Sequence, residues 1–144
     1  MLFRSIGEYL NELFPESGLW PQDQIARAYA RSISSEMHSG FATFRSFMPF
    51  NLEQTRSISI TPELTKDIDR VEQIWLECRT KHSSSGQYLF NKFTIADAMF
   101  ATVVLRFKTY GIKSNHEDVR NYCQTILNNQ FIRQWYSQKR LMEA

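Results

Sequence analysis

The sequence predicts an all-helical fold, and three observations predict it. Apolar residues recur every three or four positions over long stretches. No stretch alternates apolar and polar residues in the manner of a half-buried strand. There are only five Gly and four Pro, and they punctuate a series of long helical periods. A chain of 144 residues fits one domain, and a domain of that size buries roughly 68–70% of the surface its unfolded chain exposes. Its apolar fraction of 42%, with eleven Phe, six Tyr and three Trp, supplies the large side chains that such a core needs.

The first element runs from Phe3 to Phe14, with Ile6, Tyr9, Leu10 and Leu13 on one side, and Pro15 stops it. Pro15 to Pro21 is a loop by composition, yet Leu19 and Trp20 within it are large enough to pack down. Asp23 caps a second helix. Its apolar or small positions, Ile25, Ala28, Tyr29, Ser32, Ile33, Met37, Gly40, Phe41, Phe44 and Met48, extend a helical period to Pro49. Asp23 to Met48 therefore reads as one rod of roughly 39 Å at 1.5 Å per residue.

Asn51 to Ile60 is a polar connection, and Thr61-Pro62 then forms an N-cap with proline at the first helical position. The helix that follows presents Leu64, Ile68, Val71, Ile74, Trp75 and Cys78, and ends in a turn at His82 to Gly86. Thr94-Ile95-Ala96-Asp97 is a capping box, with Phe93 placed to staple onto the first turn. Ala98 to Phe107 is apolar on almost every side, so this helix belongs at the centre, and Gly111 ends it. Asn115 with Asp118 repeats the capping spacing ahead of Val119, Tyr122, Cys123, Ile126 and Leu127. Asn128 and Asn129 make a corner, and Phe131, Ile132 and Trp135 anchor a last helix.

Seventeen Lys and Arg against fifteen Asp and Glu, interspersed, give no extended field for gripping phosphates, so no nucleic-acid partner is expected. Lys139 and Arg140 read as partners of a helix dipole. No apolar run reaches the length of a membrane span, no secretory signal is visible at Met1, and a cytoplasmic protein with no membrane partner is expected. Cys78 and Cys123 are isolated in amphipathic patterns and read as two reduced, buried thiols. His38, His82 and His116 lack metal-ligand spacing, so no metal is expected. No nucleophile is placed beside His38, which reads as a polar-face residue.

Glu8 to Leu10 (EYL), Phe14 to Pro21 (FPESGLWP), Glu36 to Phe41 (EMHSGF) and Phe93 to Phe107 (FTIADAMFATVVLRF) resemble bacterial glutathione S-transferases. The similarity runs from the last helix of that family's thioredoxin-like domain through its helical C-terminal domain. The resemblance implies a bundle of about five to six helices, divided as residues 1–14 (remnant helix), 15–22 (linker) and 23–144 (helical domain). It also implies that glutathione is the cosubstrate only of a full-length form. The family's acidic-Ser pair aligns with Leu2 and Phe3, which carry neither group, so no glutathione-binding or catalytic residue carries over.

By the same analogy Met37, Phe41, Phe44, Arg45, Arg106 and Tyr110 are expected to wall a site for a hydrophobic electrophile, the ordinary reading of the apolar members being core or dimer contact. Arg106, a charge amid an apolar run, must reach solvent or an anion. Asp97 reads as structural. Without the domain that activates the thiol, the fragment is expected to be inactive. It is also expected to self-associate, as a homodimer, through apolar surface such as Trp20, Phe41 and Phe44. The reading from a different class is a non-catalytic helical protein-interaction module.

Overall fold

The computed structural model describes residues 2–51, 55–83 and 86–143, and among them the fold is all-helical with no sheet. Seven α-helices occur in these residues: α1 (Leu2–Leu13), α2 (Gln24–Ser39), α3 (Ala42–Phe47), α4 (Pro62–His82), α5 (Ile95–Tyr110), α6 (Glu117–Asn128) and α7 (Gln130–Glu143). A single 3₁₀ turn at Pro15–Ser17 follows α1. Residues 52–54 of the connection, 84–85 of the turn, and the side chains of Leu2, Phe3, Lys139 and Arg140 lie outside the described residues.

α5 is the axis. Ala96, Phe100, Ala101, Val103, Val104, Leu105 and Phe107 are all buried, as expected of a helix that is apolar on nearly every side. α2 packs along one flank of it and α6 along another, while α4 packs against α3 and α6. Trp75 of α4 sits in the middle, its ring 5.9 Å from Phe100, 5.5 Å from Phe107 and 5.1 Å from Tyr122. Such tilted and edge-on aromatic contacts add to what the buried area alone contributes.

Most starts and stops fall where the caps predict them. Asp23 Oδ1 accepts from the Ala26 amide at 2.7 Å, and Thr61 Oγ1 accepts from the Leu64 amide at 3.3 Å with Pro62 opening α4. Gly111 ends α5 at φ 66°, a conformation that costs glycine nothing. The capping box at Thr94 is present. In it the Thr94 amide donates to Asp97 Oδ2 at 2.8 Å, and the Thr94 hydroxyl donates to the same oxygen at 3.0 Å.

The predicted 26-residue rod is not one helix. It breaks at Gly40 and Phe41 into α2 and α3, because two charged side chains satisfy both ends of the break. Arg45 turns back and donates to the carbonyls of Met37, His38 and Gly40, which covers the C-terminus of α2. Asp67, on α4, accepts from the Phe44 amide at 2.9 Å and covers the N-terminus of α3. Phe41 makes the bend in the left-handed region at φ 58°. The buried stripe of α2 is also rotated from the predicted one. Ala26, Ala30, Ile33, Ser34 and Met37 face inward and Ile25 is exposed, because α2 lies against α5 through its small residues.

Two further expectations change. Asn115 does not cap α6. His116 occupies the N-cap without a side-chain bond, and the Ser114 hydroxyl accepts from the His116 amide instead. On α7, Phe131 and Trp135 are exposed, and Ile132 is the residue of the three that packs against the core. Asn129 forms the corner, its Oδ1 accepting from the Phe131 and Ile132 amides.

Candidate functional site

The six residues expected to wall an electrophile site divide in two. Met37, Arg45 and Arg106 meet around a pocket of about 270 Å³. Phe44, Tyr110 and Phe41 do not line it. Phe44 is 2% exposed and packs its ring 6.0 Å from Phe107, so it is core. Tyr110 is also buried, and its hydroxyl donates to the Pro49 carbonyl at 2.9 Å, pinning the connection that leaves α3. Phe41 is the bend between α2 and α3.

Four elements position the pocket. The last turn of α2 brings Met37 and His38, α3 brings Arg45, the following connection brings Phe50, and α5 brings Ala98, Met99, Thr102 and Arg106. Ala98, Thr102 and Arg106 are four residues apart, so they form one stripe down α5. That stripe was available in the sequence. Its partner Phe50 was not, since only the path of the connection carries it there.

Two guanidinium groups and no carboxylate line this pocket. Arg106 Nε donates to the Met48 carbonyl at 2.8 Å and Nη1 to the Thr102 carbonyl at 3.3 Å. Its charge lies over the rings of Phe50 at 5.1 Å and Phe44 at 5.8 Å. Burial lowers the Arg106 pKa, and the neighbouring charge of Arg45 lowers it further. Both side chains are therefore held by neutral carbonyls and rings, which leaves the local positive charge uncompensated by any acid of the lining.

The lining carries no Ser or Cys, and the Thr102 hydroxyl donates to the Met99 carbonyl at 3.2 Å. Cys78 and Cys123 are free thiols, the first buried and the second half-buried, and burial pushes both up to about 12. A thiol so raised is protonated at neutral pH and is a poor nucleophile. Among the described residues no three His, Cys, Asp or Glu side chains cluster as metal ligands would, and no helix is long and apolar enough to cross a membrane. Asp97 lies deep in the core. Its carboxylate accepts from the amides of Leu89 and Thr94 and from the hydroxyls of Thr94 and Tyr122.

The apolar surface that is exposed is not the one expected. Trp20 and Phe44 are buried and Phe41 is half-buried. α1 instead turns Ile6, Tyr9, Leu10 and Leu13 outward, with Phe14 just beyond, each between 41 and 60% exposed. The opposite side of α1 faces the bundle. Gly7 approaches Ile95 so closely that an added Cβ would lie 3.3 Å from its Cδ1, and Arg31 holds both Glu8 oxygens, at 2.8 and 2.9 Å. A half-exposed ion pair of this kind contributes little stability, but its two-point geometry sets the orientation of the helix. No protein-family model matches the chain, and no curated protein matches it.

Proposed function

We propose that this chain is a non-catalytic helical interaction module that docks a second folded unit through the outward face of α1. The observation that carries the proposal is the inverted amphipathicity of that helix. Glycine and a paired glutamate meet the body while four large apolar side chains of the helix, with Phe14 just beyond, face away. Water contact with that much apolar side chain is unfavourable at about 25 cal/mol per Å², and a contiguous stripe of this kind marks a contact surface.

The test is a double substitution, Leu10→Lys with Leu13→Lys, followed by sedimentation and binding of an apolar fluorescent dye. The wild-type chain is expected to self-associate or bind the dye. The variant should lose both with its helical circular dichroism unchanged. A wild-type chain that does neither would overturn the proposal.

A second reading, the C-terminal half of a glutathione transferase, is favoured by the gathering of Met37, Arg45 and Arg106 beside Phe50 and Met99. On that reading the α1 face receives the glutathione-binding half, and the pocket receives the aryl group of an electrophile. An S-aryl glutathione conjugate should then shift the methyl resonances of Met37 and Met99, and glutathione alone should not. Unmoved methyls at about millimolar conjugate, the weak end of useful affinity, would remove this reading.

A further inference from the structure

A second hollow, of about 530 Å³, lies away from both features, where the segment from Gly18 to Ala26, the end of α4 and the residues before α5 come together. Its walls carry an unusual combination. Lys81 and Lys92 line it, and neither is in an ion pair among the described residues. Asp23 lines the hollow as well, and Glu77 lies one turn before Lys81 on α4. Asp23 accepts from the Ala26 amide as the cap of α2, and Glu77 accepts from the Tyr29 hydroxyl at 2.7 Å while feeling the charge of Lys81. The first turn of α2, with its positive end of the helix dipole, opens on the same space.

Three of the remaining lining residues, Trp20, His82 and Phe90, are aromatic. His82 stacks on Phe90, centroid to centroid 5.4 Å at 28°. Trp20 is 7% exposed, and its indole Nε1–H is buried with no acceptor. Arg31 lies over the Trp20 ring at 5.4 Å.

We infer that this hollow binds a small aromatic acid, its ring against the accessible edges of Trp20, His82 and Phe90 and its anionic group beside Lys81 and Lys92. A free lysine pair supplies charge without the planar fork that selects phosphate, and the aromatic walls supply the affinity that charge alone does not. The α1 stripe and the arginine pocket contribute no lining residue to this site, so its test does not depend on theirs.

The test uses the intact chain with ¹⁵N-labelled tryptophan and 1-naphthoate as the probe, the Trp20 indole signal being assigned from a Trp20→Phe variant. Naphthoate should move that signal saturably while those of Trp75 and Trp135 stay put. The Lys81→Ala/Lys92→Ala variant and the neutral probe 1-naphthalenemethanol should each bind about tenfold more weakly. Both lysines are exposed, so the variant keeps its core. A Trp20 signal unmoved at about 5 mM naphthoate, weaker than most specific small-molecule binding, would overturn the inference. So would equal binding of the neutral probe or by the double variant, which would reduce the effect to apolar adhesion. Inorganic phosphate competing as tightly as naphthoate would overturn it as well, since the aromatic walls would then contribute nothing.

Discussion

Asp97 joins four parts of the chain through one carboxylate. Oδ1 accepts from the Leu89 amide at 3.1 Å and the Tyr122 hydroxyl at 3.2 Å, and Oδ2 takes both donors of Thr94. Burial pushes its carboxyl up to about 6 from the ordinary 3.8, although all four hydrogen bonds pull the other way. With the folded pKa above the unfolded one, the native state holds the proton more tightly between those values. The contribution of this group to stability is therefore full below the unfolded pKa and falls as pH rises toward about 6. Asp97→Asn turns one acceptor into a donor and leaves a buried amide unpaired, a loss of about 2 kcal/mol. The variant should be less stable in urea at pH 4, with the gap from wild type narrowing toward pH 7. A gap that widens over that range would show that the carboxylate is stabilised by its surroundings when ionised. The Thr94–Asp97 half of this arrangement is legible in four consecutive residues, whereas the Leu89 and Tyr122 donors come from eight and twenty-five positions away and have no local signature.

At the scale of the element, the break between α2 and α3 is the informative case. Helical spacing continues across Gly40 and Phe41, so local pattern alone favours one rod. Arg45 decides otherwise by satisfying three carbonyls, which makes it a C-terminal cap as well as a wall of the arginine pocket. Arg45→Ala should cost about 1–2 kcal/mol, because those carbonyls lose a charged donor and fall back on water. Arg45→Lys should recover less than half of that, since a single ammonium cannot span the three acceptors. Urea denaturation measures the cost, and hydrogen exchange should localise it to the last turn of α2. Full recovery by lysine would assign the effect to charge near the helix end rather than to the fork.

For the whole molecule, α1 lies outside the core. It meets the bundle at Gly7 and the Glu8–Arg31 pair, while α2 to α6 share the continuous core around Trp75. Gly7→Leu would drive a side chain into Ile95, and α1 should then detach without unfolding the bundle. Exchange protection should vanish in α1 and persist in α4 and α5, as expected for a unit of low local stability. Simultaneous loss in all three would mean that α1 belongs to the cooperative core. The six residues of the electrophile-site expectation part at this scale. Met37, Arg45 and Arg106 converge, but Phe44 and Tyr110 point into the core and Phe41 forms a bend.

The sequence by itself determined the helical class, the central position of the Ala98–Phe107 segment and most of the caps. Those features depend on spacing within one or two turns, where a side chain and its backbone partner are only a few residues apart. Only the tertiary structure decided where α2 stops, which side of it is buried, that α1 shows its apolar side to water, and that two hollows lined with cationic side chains exist. Each of these depends on residues brought together from distant positions, such as Arg31 with Glu8, Asp67 with Phe44, and Trp20 with Lys81. The cost of burying or exposing a group is set by such neighbours, and no local pattern records them.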